Sequence, residues 1–112
     1  MLRNQPYAFT VTLHDAYCVV GAAGELDIAS VGHLRVAVDN ARRRGARVVV
    51  DLRAVTFMDT FALRALIALQ RETSARPDCS LHVIPGAAVQ RVLDVTGTRA
   101  VLRWISAEQL AV

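Results

Sequence analysis

Asp59-Thr60 stands where an apolar run, Val48-Val-Val-Asp-Leu52 and then Val55-Thr-Phe-Met58, passes directly into the helically spaced Leu63, Leu66 and Ile67. A hydroxyl at such a junction is offered to solvent at a helix N-terminus, where a phosphate is tolerated best. Two chemistries fit it. Thr60 can be an N-cap, its oxygen accepting a hydrogen bond from the first helical turn. It can also accept a phosphoryl group, which adds roughly −1.5 to −2 charges and three acceptor oxygens where free N–H groups can hold them. The two are compatible, so a capping role does not argue against modification.

Other reactive side chains give weaker signals. Cys18 and Cys79 lie far apart, fit no metal-ligand spacing and fall in or beside apolar runs, as buried free thiols do. His14, His33 and His82 are isolated from one another and from either cysteine, so no metal is assigned and no cofactor is implied. No base, nucleophile and orienting group can be assembled, which argues against an enzyme. No phosphate-cradling glycine motif follows any strand, which argues against nucleotide binding.

The 13 basic residues, all arginine, against 10 acidic ones give a net charge of +3. They are scattered except for Arg42-Arg43-Arg44 and Arg47, which sit where a helix should end and so suit its macrodipole. With aromatics at only 5%, little is available to stack on bases, and direct nucleic-acid binding is not expected. Apolar residues make up 54% of the chain and the mean hydropathy is +0.33. Even so, no run approaches the ~18 uninterrupted apolar residues of a membrane span. Met1 to Pro6 carry no apolar stretch of the signal-sequence kind, so a cytoplasmic protein without membrane attachment is expected. The apolar content leaves a homodimer open.

The elements that must position Asp59-Thr60 follow from periodicity. Alternation in Ala8–Leu13 and Ala16–Ala23, with His14-Asp15 between, predicts an N-terminal β-hairpin. Val31, Leu34, Val38 and Ala41 are spaced helically, with Ser30 as cap and Gly45 as stop. Arg47 to Leu52 reads as a strand buried on both faces, judged from its unbroken valines. The helix from Thr60 puts Leu63, Leu66, Ile67 and Gln70 on one side and leaves Arg64 and Arg71 to solvent. Ser74 to Asp78 form a loop, Leu81–Ile84 a strand, and Ala87–Thr96 a helix closed by Gly97. A strand around Val101–Ile105 and a short turn over Ser106–Leu110 finish the chain. Strands alternating with helices make right-handed crossovers onto a largely parallel sheet. The fold class is therefore α/β: one domain over residues 1–112, a mixed, mostly parallel sheet of four to five strands with an N-terminal hairpin, and three to four helices.

In this order and spacing the chain resembles a STAS domain, and specifically the bacterial anti-sigma factor antagonists. The matching segments are Gly24-Glu-Leu-Asp-Ile-Ala-Ser30 with Leu34-Arg35, then Val48-Val-Val-Asp-Leu52 with Val55-Thr-Phe-Met-Asp-Thr60 and Leu63, and last Ala88-Val-Gln-Arg-Val-Leu-Asp-Val-Thr-Gly97. The resemblance implies the STAS fold and a partner-switching protein. In such proteins the unmodified antagonist binds an anti-sigma factor that is also a serine/threonine kinase. Phosphorylation of the hydroxyl residue after the motif's Asp breaks that complex, and a phosphatase would reverse it.

Carried onto this sequence, the phosphorylation site is Thr60. The partner-binding residues are Asp27, Asp59, Phe61 and Ser30. The chain departs from the family pattern at Phe61 and Ala62, which replace a small polar residue and a glycine, and at Thr98, where the family favours Leu. Phe61 must either pack inward or stand exposed on the binding surface. An alternative keeps the fold without the modification: an interaction or scaffold module, as in multi-STAS complexes or in STAS subunits that accompany lipid transporters. Asp27→Asn is expected to weaken partner binding with little effect on stability; a large loss of stability would mean that Asp27 is a structural cap.

Overall fold

A computed structural model describes residues 7–44 and 47–110. Tyr7–Leu13 (β1) and Tyr17–Leu26 (β2) form the expected antiparallel hairpin. Val31–Arg43 (α1) leads to Arg47–Met58 (β3), which pairs parallel to β2. Thr60–Ser74 (α2) leads to Ser80–Ile84 (β4), parallel to β3. Ala87–Thr96 (α3), a 3-10 turn at Arg99–Val101 and Ala107–Leu110 (α4) complete the described chain. The sheet has four strands in the order β1-β2-β3-β4. No helix among the described residues is long and apolar enough to cross a membrane.

Period-two alternation divides the sheet into two faces. Cys18, Val20, Val48, Val50, Leu52, Leu81 and Val83 turn toward the helices, where Leu34, Val38 and Ala41 of α1, Leu63, Leu66 and Leu69 of α2, and Val89 and Leu93 of α3 bury against them. Burial pushes the Cys18 thiol up and leaves it a poor nucleophile. On the other face Val49 and Ile84 pack with Ile105, and the Tyr17 hydroxyl donates to the Leu110 carbonyl at 3.2 Å. Val48, Val49 and Val50 are all fully buried, as their unbroken run predicts. The basic cluster is partly structural. Arg42 is buried and donates to Thr73 and Asp39, locking α1 to α2, while Arg43 donates to Asn40 on its own helix.

The bounds of α3 agree with expectation, and Gly97 closes it at φ 68°, where an L side chain would be strained. The expected stop at Gly45 lies outside the described residues. Two expectations are corrected. The strand Val101–Ile105 is a 3-10 turn followed by a single parallel bridge, Trp104 to Val83. The Gln70 side chain takes the Arg103 N–H at 3.0 Å and the Trp104 indole donates to the Arg99 carbonyl at 2.8 Å, so the segment curls instead of extending a ladder. The strand read as ending at Leu52 runs on to Met58, following β2 through register shifts at Gly21/Ala23 and Gly24/Glu25. That extension matters for the site: with Leu26 paired to Met58, the next residues of each strand are Asp27 and Asp59.

Candidate functional site

The parallel register of β2 and β3 brings the loop Asp27–Ser30 beside the start of α2. Asp59, not Thr60, is the N-cap. Its backbone is extended (φ −97°, ψ −179°), Oδ1 accepts the Ala62 N–H at 2.9 Å, and its carbonyl accepts the Leu63 N–H at 3.1 Å. Thr60 is thereby corrected from cap to first helical residue. A carboxylate in the cap position satisfies the first turn and complements the macrodipole, so the threonine hydroxyl is not needed there. Thr60 is exposed, and among the described residues no hydrogen bond engages its Oγ1. The N–H groups of Thr60 and Phe61 also have no partner among the described residues, which leaves two donors beside that oxygen.

Asp59 does a second thing. Its Oδ2 accepts the Ile28 N–H at 3.2 Å, and its own N–H donates to the Leu26 carbonyl at 3.1 Å, so loop and helix are tied through one residue. Within the loop, Asp27 Oδ1 accepts from the N–H groups of Ala29 (3.0 Å) and Ser30 (3.1 Å), the pattern by which an Asp side chain fixes a turn. Ser30 occupies the cap position of α1 without a side-chain capping bond. It is fully buried, accepts the Asp27 N–H at 3.0 Å and donates to the Glu25 carbonyl at 2.9 Å. Ser30 is among the residues that the family resemblance assigns to partner binding. A side chain with no accessible surface cannot touch a partner, and its place is beneath Asp27, holding the loop.

Phe61 stands outward at 52% exposure, which decides between its two expected fates. It has apolar company that the sequence reading did not single out: Ile28 at 64% and Phe57 at 50% exposure. The Ile28 N–H donates to Asp59, and Phe57 lies two residues before Asp59 on β3, so both belong to the segments that meet at the start of α2. The only signal for Ile28 in the sequence was a β-branched residue between Asp27 and a helix cap, out of phase with either element. Arg64, one turn beyond Thr60 on α2, is exposed and lies at the i,i+4 spacing from it. Asp59 directly precedes Thr60, and Asp27 anchors the loop that Asp59 ties to the start of α2.

The family model described as Mlab, STAS domain, matches residues 9–104. Among solved structures, the fold is similar to that of an anti-sigma factor antagonist from Mycobacterium paratuberculosis, with a TM-score of 0.79 and 24% identity over 94% of this chain and 92% of that one. It is similar to a putative anti-sigma factor antagonist from Thermotoga maritima (TM-score 0.75, 17% identity, 92% and 91% covered). It is also similar to the Bacillus cell fate determinant SpoIIAA in its phosphorylated form (TM-score 0.64, 21% identity, 93% and 96% covered). No curated protein matches the sequence.

Proposed function

The chain belongs to the STAS domain family, and we propose that it is an anti-sigma factor antagonist whose docking is switched by phosphorylation of Thr60. The observation that carries this reading is the division of labour at the α2 N-terminus: Asp59 caps the helix and ties the loop, while the Thr60 hydroxyl beside it is exposed and unbonded.

The partner is an anti-sigma factor with a serine/threonine kinase fold, in the cytoplasm. Thr60 Oγ1 attacks the γ-phosphorus of Mg-ATP, ADP leaves, and the hydroxyl proton passes to a base of the kinase. This chain supplies the positioned hydroxyl and no catalytic group. In the unmodified state the docking surface is Thr60 with Asp27, Asp59 and Phe61, extended by the apolar groups of Ile28 and Phe57. Phosphate at Thr60 is held locally by the free N–H groups and by Arg64, so the domain stays folded. Docking suffers instead, because charge and volume arrive next to Asp27 and Asp59 on a surface that must be desolvated. A hundredfold loss of affinity needs only about 2.7 kcal/mol.

The direct test is mass spectrometry of the full chain after incubation with the kinase-type anti-sigma factor and Mg-ATP. The expected result is one phosphate, on Thr60, absent from Thr60→Ala. Label at another residue removes Thr60 from its role. A second reading, an unmodified interaction or scaffold module or a lipid-transporter accessory subunit, draws support from Phe61, whose exposed ring replaces the small polar residue of the antagonist pattern. A stable partner complex together with no phosphate at all favours that reading.

A further inference from the structure

We propose that β1 docks a second copy of this chain, strand beside antiparallel strand, about a two-fold axis through Thr10. Among the described residues β1 has β2 on one side and nothing on the other, and it is a regular seven-residue strand with no register shift against its neighbour. Its sequence, Tyr-Ala-Phe-Thr-Val-Thr-Leu, holds no charge and no proline. Sheet edges are ordinarily blunted by just those residues or by bulges. An edge with none of these protections offers a template for another strand.

The strand's own order selects the occupant. The His14 N–H donates to the Tyr17 carbonyl, and alternation from that pair turns the polar backbone of Thr12, Thr10 and Ala8 toward β2. The N–H and C=O groups of Tyr7, Phe9, Val11 and Leu13 therefore point outward. Pairing about Thr10 sets Phe9 against Val11 of the second copy and Tyr7 against its Leu13, so every outward group finds a partner.

Side-chain exposure follows the same symmetry. His33 of α1 covers one end of β1, with ring centroids 5.5 Å from Tyr7 and 6.4 Å from Phe9, whereas Val11 and Leu13 at the other end are 47% and 54% exposed. The two-fold lays the covered, aromatic end of each copy beside the bare, aliphatic end of the other, in the aromatic–aliphatic cross-strand pairs that stabilise sheets. No like charges are opposed, although the chain as a whole carries +3. Seven residues a side fall short of the ~20 to 30 of a standard interface, so the dimer belongs to the weak, concentration-dependent class. Thr60 follows β3, two strands in from the β1 edge, and the strand pairing does not use it, so this inference and the Thr60 reading can fail independently.

Cross-linking tests the register. Thr10 would meet Thr10 of the second copy as a non-hydrogen-bonded pair, with Cα atoms about 4.5 Å apart. In the full chain carrying Cys79→Ser, Thr10→Cys should give covalent dimers under mild oxidation. Ala8→Cys alone should not, but should cross-link to Thr12→Cys when the two chains are mixed. Sedimentation velocity of the wild type up to roughly 1 mM should show a growing dimer fraction, and Val11→Lys should weaken it at least tenfold with its melting temperature kept. A wild type that stays monomeric over that range overturns the proposal. So does a dimer indifferent to Val11→Lys or one that Thr10→Cys fails to cross-link, since its occupant or register would then be another.

Discussion

The carboxylate of Asp59 accepts the backbone N–H of Ile28 at 3.2 Å across 31 residues of sequence. Its other oxygen caps α2. One side chain thus fixes the two segments that form the candidate docking surface at a set distance, and spares Thr60 from any structural duty.

Asp59→Ala should therefore cost more than an ordinary cap. Loss of the capping bond accounts for about 1 to 2 kcal/mol, and the freed Ile28 N–H adds to it. Asp59→Asn keeps an acceptor for Ala62 and should lose less than half as much. Urea unfolding of the two variants beside the wild type measures the difference.

Asp27 fixes its loop and, under the proposed function, also faces the partner; two substitutions separate the two roles. Asp27→Ala removes the acceptor for the Ala29 and Ser30 N–H groups and should destabilise by about 1 to 2 kcal/mol. Asp27→Asn retains an oxygen in the same place, so its melting temperature should stay near that of the wild type while partner affinity falls with the lost charge. Calorimetry for stability and titration for binding check the two halves.

Gln70 is buried, its amide donating to the Leu81 carbonyl at 3.1 Å and accepting the Arg103 N–H at 3.0 Å. Gln70→Leu strands both backbone groups. A loss of about 2 to 3 kcal/mol is expected, together with faster amide exchange at Arg103, which hydrogen exchange by NMR resolves.

His82 gives the fold a pH dependence. Burial first, then the charges of Arg47 and Arg103, push its imidazole below the ordinary range, and its Nδ1 is buried without a partner among the described residues. The unfolded chain therefore takes up the proton before the folded one does. Stability is complete above the ordinary imidazole range and falls as pH drops through it toward the lower folded value. Thermal melts across mildly acidic pH should show this decline in the wild type and a flatter profile in His82→Gln.

Much of this was legible in sequence, and what was not has identifiable causes. The valines of β3, the alternation of the hairpin and Gly97 after α3 are local signals, and each led to the right element. Asp59 and Thr60 are adjacent and both good caps, and the sequence points to Thr60; the extended backbone at Asp59 and its bond to Ala62 make Asp59 the cap instead. The segment Val101–Ile105 reads as a strand by composition, but Gln70, 33 residues earlier, claims the N–H of Arg103. Ile28 and Phe57 emerged as surface groups only once the β2–β3 register was known. Ser30 was placed on the wrong side of its loop because a short polar residue before a helix looks alike whether it faces water or fills the space under a turn.

A phosphate on Thr60 should alter docking and little else. Isothermal titration of the kinase-type anti-sigma factor with the unmodified chain and with chain phosphorylated at Thr60 measures it most directly, with a thermal melt of both forms alongside. Affinity should be at least a hundredfold lower for the phosphorylated form, equivalent to about 2.7 kcal/mol, with an undiminished melting temperature. Equal affinities, or a loss of affinity explained by unfolding, would contradict it.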